Sequence, residues 1–143
     1  MAVKQLSIFV ENRTGTLLEI TEILAAAGVD IRAMSLADTR DFGILRLIVS
    51  DIDRALDALK DNQCVVSVNE VIAVAVPDAP GSLMSVVKLL AKNQINVEYM
   101  YAFITVSGQN ACVVLRVEDN AETSELLEAN GIHLVSEDDI RNI

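Results

Sequence analysis

The sequence matches itself when it is displaced by 66 residues, and this internal repeat restricts the possible folds more than any other feature of the chain. Alternating aliphatic residues in the first segment recur at the displaced positions, with Leu6, Ile8 and Val10 on Ile72, Val74 and Val76. Alternation with a period of two is typical of a strand with one buried face. Behind these segments, Gly15 aligns with Gly81 and Leu17 with Leu83, ahead of an apolar stripe at helical spacing. The 143 residues are therefore predicted to hold two copies of one module.

The displacement grows to 68 in the later part of each copy, where Leu45 aligns with Val113. The second copy thus carries a two-residue insertion between Met100 and Cys112. Insertions are best tolerated at hairpin tips, and the polar residues 107–110 suit a turn. We expect a longer hairpin in the second copy than in the first.

The pattern of apolar residues in each copy predicts the order strand, helix, strand, strand, helix, strand. The expected elements are near residues 3–10, 14–27, 30–39, 43–50, 52–61 and 64–69 in the first copy, and near 71–77, 80–92, 95–105, 110–118, 120–129 and 132–135 in the second. Right-handed crossovers place both helices of a copy on one sheet face, which gives a ferredoxin-like α+β sandwich twice. We place the modules at residues 1–70 and 71–143. With no Gly-, Ser- or Pro-rich linker between them, we expect them to pack as a pseudo-dimer.

Composition and charge exclude several classes of partner. Lys plus Arg total 11 against 21 Asp plus Glu, so the net charge of -10 disfavours nucleic acid and anionic membranes. Cys64 and Cys112 stand in apolar runs without CxxC spacing or clustered histidines, which favours free thiols over a disulfide or a metal site. The sequence has no phosphate-binding loop motif that would indicate a nucleotide cofactor. The apolar run near the start is too short for a signal peptide, so we expect a cytoplasmic protein that has no membrane span and needs no cofactor.

A short polar turn follows the first strand of each copy and is the best candidate for a ligand site. The two turns are Asn12, Arg13, Thr14, Gly15, Thr16, Leu17 and Asp78, Ala79, Pro80, Gly81, Ser82, Leu83. Exposed N–H groups at a helix start favour an anion such as a carboxylate. Alternatively, Asn12 and Asp78 only cap the helices. A polar residue at the start of the second strand in each copy, Asp30 or Asn96, favours a site, although turn chemistry also explains it.

These turns, together with the segments Gly28–Ile31 and Gln94–Val97, resemble those of ACT domains, and the resemblance covers nearly the whole chain. It implies a regulatory module, usually attached to an enzyme of amino-acid metabolism, that binds a free amino acid between paired modules. The resemblance also implies which residues face each other across the pair: Asn12 and Gly15 face Asn96, and Asp78 and Gly81 face Asp30.

Two ACT-like modules leave no length in this sequence for a catalytic domain, so we expect regulation in trans of a separate enzyme or transporter. His133 is the only histidine, and no Ser or Cys nucleophile lies beside it, which favours a strand residue over a catalytic base. We expect a non-catalytic sensor of an amino acid or similar metabolite. A pure interaction module and, with less support, a small enzyme of the same fold remain alternatives.

The two copies differ in the second strand. Three aromatic residues alternate there in the second copy, Tyr99, Tyr101 and Phe103. They share a face that is either a pocket wall or an oligomer contact. We predict that the ligand carboxylate binds the amides after Asn12, that its ammonium lies near Asn96 or Glu98, and that its side chain packs on Tyr99 or Tyr101. The sheet face opposite the helices is too apolar for free solvation, as Phe9 and Ile44 illustrate, and a homodimer is expected.

Overall fold

The computed structural model describes residues 2–38, 40–104 and 109–142. The chain folds into two compact units. We call Lys4–Asn69 the N-terminal unit, and Glu70–Ile143 together with Met1–Val3 the C-terminal unit.

The N-terminal unit has the predicted βαββαβ order. Its elements are β1 (Val3–Glu11), α1 (Thr16–Ala26), β2 (Ile31–Asp38), β3 (Phe42–Val49), α2 (Ile52–Asp61) and the first residues of β4 (Val65–Pro77). The strand order is β2-β3-β1-β4, and β3 is antiparallel to both β1 and β2. Alternate residues of β1 and β3 pack against the buried face of α1 and α2, in a core of Leu6, Ile8, Val10, Ile20, Leu24, Val29, Leu45, Leu47, Val49, Ala55 and Leu59.

The C-terminal unit repeats this plan. The later residues of β4 are followed by α3 (Ser82–Lys92), β5 (Tyr99–Ile104), β6 (Asn110–Arg116), α4 (Asn120–Ala129), β7 (His133–Leu134) and the short helix α5 (Glu137–Arg141). The strand order is β7-β4-β6-β5, with antiparallel pairing throughout. The core consists of Ile72, Val74, Val76, Val86, Leu90, Val113, Leu115, Val117, Leu127 and Leu134. The chain thus folds as two ferredoxin-like sandwiches, as the repeat predicts.

Two predicted strand boundaries are wrong. The segments 64–69 and 71–77 are one strand, β4, because the chain continues in extended conformation past Asn69. The second strand of the C-terminal unit begins at Tyr99 and not near residue 95, so Asn96 precedes it. Ile95 and Val97 pack against the core from this connecting segment, which explains why their alternation resembles a strand. Of the expected hairpin tip, residues 107 and 108 lie outside the described residues.

The two cysteines are free thiols, Cys112 buried and Cys64 half-buried. Within the described residues, no group of His, Cys, Asp or Glu could hold a metal ion. None of the helices in the described ranges is long and apolar enough to cross a membrane.

Candidate functional site

The loop between β1 and α1 is shaped by Gly15. Gly15 is the N-cap residue of α1 and adopts φ 92°, a left-handed conformation that costs a residue with a Cβ free energy. No side chain caps the helix, so the interpretation of Asn12 as a helix cap is wrong. The same holds for Asp78, because α3 begins after Gly81 at φ 86°, again with no side-chain cap. A Cβ at either glycine would meet nothing within 4 Å, so backbone conformation and not crowding demands glycine there.

The two loops share one set of backbone hydrogen bonds. In the first loop, Arg13 N–H donates to Glu11, Thr16 N–H to Arg13 and Asn12 N–H to Asp41. Residues 66 positions later repeat the pattern, with Ala79 on Pro77, Ser82 on Ala79 and Asp78 on Gln109. The acceptor of the last bond is displaced by 68 residues, as the sequence repeat requires. The loops are therefore equivalent in backbone geometry.

The side chain of Asn12 holds the first loop against the turn between β2 and β3. Its Nδ2 donates a hydrogen bond to the carbonyl oxygen of Arg40 at 3.2 Å, beside the backbone bond to Asp41 at 2.9 Å. An aspartate cannot donate such a bond, and Asp78 contacts Gln109 through its backbone N–H. Asn12 thus positions the loop.

A pocket of about 210 Å³ opens between this loop and the sheet of the N-terminal unit. Its volume is below the range typical for drug-sized ligands, about 300–1,000 Å³, and suits a smaller metabolite. The lining combines apolar side chains with a polar rim, and consists of Val10, Glu11, Asn12, Arg13, Thr16, Leu17, Leu36, Gly43 and Leu45. The structure therefore brings four of the predicted site residues together, Asn12, Arg13, Thr16 and Leu17.

Thr16 differs from the other predicted residues of this lining, because its side chain is buried and its hydroxyl has no partner among the described residues. The residue is 9% exposed, and its Oγ1 has no hydrogen-bond partner among the described residues. A buried polar group without a partner costs about 1–3 kcal/mol. A polar ligand atom that reached the hydroxyl would remove that cost.

Two charged residues line the rim of the pocket, Glu11 and Arg13, and Arg13 also contacts Glu19 on α1. Arg13 Nε lies 3.1 Å from Glu11 Oε2, and Arg13 Nη2 lies 3.4 Å from Glu19 Oε2. The hydrogen bond to Glu11 and the nearby charge of Glu19 raise the pKa of Arg13 above its usual value, so its charge is permanent. Two carboxylates around one guanidinium leave a net negative rim, which favours a ligand ammonium.

Backbone donors lie beside the pocket at the start of α1. Within the described ranges, the N–H groups of Thr14, Gly15 and Leu17 have no hydrogen-bond acceptor. Such groups, at the positive end of the helix dipole, bind anions.

Asp30 directly precedes β2 and takes part in local contacts. Its Oδ2 lies 3.2 Å from Arg32 Nη1, and its backbone N–H donates to Ser50 Oγ at 2.9 Å. The carboxylate is exposed, with its charge balanced by Arg32. Turn chemistry is thus part of the reason for a polar residue here.

The equivalent region of the C-terminal unit includes Asn96 and Glu98, both exposed. Glu98 Oε2 lies 3.3 Å from Arg116 Nε, and the Glu98 N–H donates to the Arg116 carbonyl at 2.9 Å. Arg116 in turn donates to the carbonyl of Glu70 at 2.7 Å. Glu98 is therefore held in an ion pair before β5 begins.

Tyr99 and Tyr101 lie on the sheet face opposite the helices of their unit. They pair with Arg116 and Val114 in β6, and alternate with residues that pair with the core positions Val113 and Leu115. Both tyrosines are half-buried. In the N-terminal unit the pocket lies on the helix side of the sheet. The two tyrosines lie on the other face of the sheet of the C-terminal unit.

Comparison with known proteins identifies the family. A family model described as an ACT domain pair matches residues 1–143. The chain belongs to the ACT domain pair family. The predicted resemblance to ACT domains is thereby confirmed. Among curated protein sequences, no significant match is found.

Three solved structures are similar to this chain in fold. A protein from Bacteroides thetaiotaomicron is 39% identical, with a TM-score of 0.93 over 100% of this chain and 98% of that one. The ligand-free regulatory subunit of aspartate kinase from Thermus thermophilus is 14% identical, with a TM-score of 0.66 over 88% and 91% of the two chains. Escherichia coli aspartokinase III in complex with aspartate and ADP is 21% identical, with a TM-score of 0.57 over 90% of this chain and 32% of that one. The two kinase structures share the fold of this ACT pair.

Several pocket residues were missed from the sequence. They come from the sheet and not from the glycine turn, and are Val10, Glu11, Leu36, Gly43 and Leu45. Val10 and Gly43 are directly opposite in the pairing of β1 with β3, and Leu36 is opposite Leu45 in the pairing of β2 with β3. The alternation of apolar residues could have placed them on the helix side, but not beside an opening.

Proposed function

We propose that this ACT domain pair is a non-catalytic regulatory protein that binds a free amino acid or a similar small metabolite at the interface between its paired modules. The observation that carries the proposal is the pocket beside the β1–α1 loop, with apolar walls, a charged rim and the unused hydroxyl of Thr16. An amino acid offers a matching set of an ammonium, a carboxylate and a side chain. Asn96, Glu98, Tyr99 and Tyr101 of the other module complete the proposed site, as Asp30 would for the second loop.

Regulation in this proposal acts in trans, on a separate enzyme or transporter. A ligand that binds only the closed arrangement of two modules stabilises it by about 2.7 kcal/mol at a hundredfold excess over its dissociation constant. His133 is exposed and lies in the two-residue strand β7, opposite Ala75, which supports a structural role. The cytoplasm is the proposed location, because free amino acids are available there.

A thermal-shift screen of the full chain against the twenty amino acids tests this function. The informative variant is Thr16→Val, which keeps the shape of the side chain and removes the unused hydroxyl. We expect the ligand-free variant to be as stable as the original or more stable, and to lose much of the ligand-induced shift. If no amino acid raises the melting temperature of the original chain, the proposal is wrong.

A second candidate, an interaction module without ligand, is favoured by one observation. Phe9 and Phe42 are 50% and 45% exposed, and their ring centroids lie 5.0 Å apart beside Ile44 on the sheet face opposite the helices. Exposed apolar clusters of this kind mark contact surfaces. Sedimentation velocity of Phe9→Ser against the original chain tests the proposed homodimer. A stable dimer that dissociates in the variant, without any ligand in the screen, would favour this candidate.

A further inference from the structure

The two loops have the same pattern of backbone hydrogen bonds but different side chains. Building on the proposed function, we infer that the chain has one amino-acid site, at the pocket of the N-terminal unit, and that this site selects an aliphatic side chain. The inference stands on three differences between the loops and on the apolar lining of the pocket.

The first difference is in hydrogen-bond donors. Thr14 contributes an N–H group that has no acceptor in the described part of the chain. Its equivalent 66 residues later is Pro80, which has no N–H group at all. A carboxylate at the second loop therefore lacks one of the donors offered by the first.

The second difference is in space. Gly43 lines the pocket and lies opposite Val10 in the sheet; its equivalent, Ala111, lies opposite Val76. A Cβ at Gly43 would be 3.2 Å from Val10 Cγ2 and 3.5 Å from Leu36 Cδ1. Glycine thus leaves room that the alanine of the second copy fills.

The third difference is in charge. Glu11, Arg13 and Glu19 surround the first loop with ionic groups that contact one another. The equivalent residues are Pro77, Ala79 and Ser85, which carry no charge. Glu11 is the carboxylate on the pocket wall that can take the ammonium of the ligand. The second loop has Pro77 at that position, and its carboxylate, Asp78, stands instead at the position of Asn12.

The lining determines which side chain fits. Below the charged rim, the walls come from Val10, Leu17, Leu36 and Leu45, all aliphatic. A charged side chain placed against them would lose its hydration without gaining a partner, whereas an aliphatic one would gain about 0.8 kcal/mol per buried methylene group. The geometry points to leucine, isoleucine, valine or a similar amino acid.

Isothermal titration calorimetry of the full chain with L-leucine and, separately, L-aspartate tests the inference. We expect one leucine per chain and at least tenfold weaker binding of aspartate. Thr14→Pro should weaken leucine binding at least tenfold. Because Pro80 occupies the equivalent backbone position, this variant is expected to fold. Gly43→Ala, which fills the pocket, should also weaken binding, and Pro80→Thr is the matched control that should leave the affinity unchanged.

The outcomes separate the inference from the function on which it rests. Two equal leucine sites per chain, or tighter binding of aspartate, would overturn the inference and leave an amino-acid sensor in place. A loss of leucine binding in Pro80→Thr, with Thr14→Pro unaffected, would move the site to the second loop. If neither leucine nor aspartate binds, the inference is wrong; the screen of all twenty amino acids then decides the proposed function separately.

Discussion

Asn12 Nδ2 donates a hydrogen bond to the carbonyl oxygen of Arg40 across 3.2 Å, and so links the loop after β1 to the turn after β2. Both segments border the pocket region, since Asn12 lines it and Gly43 follows closely behind Arg40. The side chain therefore acts on the site by fixing the distance between two loops.

Replacing Asn12 by aspartate should loosen this link. Asn12→Asp keeps the shape but sets a carboxylate oxygen against the Arg40 carbonyl, so we expect a loss of about 1 kcal/mol of stability. Leucine affinity should fall as well, because the loop is no longer positioned. Urea denaturation and calorimetry measure the two effects. Asp78→Asn is the matched control, and an unchanged leucine affinity in a folded Asn12→Asp protein would remove Asn12 from the site.

The two N-cap glycines should respond equally to substitution. Gly15→Ala and Gly81→Ala each force a Cβ into a left-handed conformation, at a cost of about 1–2 kcal/mol, while the added methyl group meets no neighbour within 4 Å. Gly15→Asn should cost less, because asparagine tolerates this conformation better. Denaturant unfolding of the variants measures these costs. A much larger loss at one glycine would mean that crowding, and not backbone conformation, sets its requirement.

The two thiols should differ in reactivity. Burial raises the pKa of Cys112 to about 12, and burial together with the charge of Glu19 raises that of Cys64 by less. Because the thiolate is the reactive form, iodoacetamide at pH 8.5 should label Cys64 slowly and Cys112 only after unfolding. Mass spectrometry of native and urea-treated protein gives the comparison. Since the raised pKa of Cys112 disfavours its thiolate in the folded state, stability should also fall as the pH rises from 9 towards 12. Cys112→Ser is the control for that slope.

Acid should destabilise the short helix α5. Ser136 and Asp139 form a capping box, in which the Ser136 N–H donates to Asp139 Oδ2 at 3.0 Å. The hydrogen bonds from the backbone and side chain of Ser136 lower the pKa of Asp139 below its usual 3.8. This stabilising effect is therefore fully present above pH 3.8 and is lost as the pH falls through the lowered value. In Ser136→Ala, NMR titration should find the Asp139 pKa closer to 3.8. An identical titration in both proteins would mean that the Ser136 side chain does not contribute to the lowered pKa, since the backbone hydrogen bond remains in the variant.

The sequence predicted the fold well because its repeat reports the core twice. Leu6 and Ile72, or Leu45 and Val113, mark the same buried positions in the two copies, and random similarity does not reproduce such a register. The start of β5 was missed because Ile95 and Val97 alternate like strand residues while packing from a connecting segment. Alternation reports which residues are buried, not which backbone groups pair.

The candidate site was predicted only in part. Its glycine turn has a local signature, so Asn12 and Arg13 were identified. Leu36 and Gly43 reach the pocket through pairing between strands, and Thr16 matters because its hydroxyl lacks a partner among the described residues. Relations of this kind depend on tertiary structure and leave no local pattern in a single sequence.

The matching hydrogen bonds of the two loops have a consequence for redesign. The two loops have matching backbone hydrogen bonds but different side chains, so the second loop is a scaffold on which the recognition groups of the first can be built. Introducing the groups of the first loop through Ala79→Arg, Pro80→Thr and Ala111→Gly tests how few substitutions give the second loop a binding site of its own. Duplicated modules of this kind allow one copy to keep its role while the other is free to acquire a new specificity.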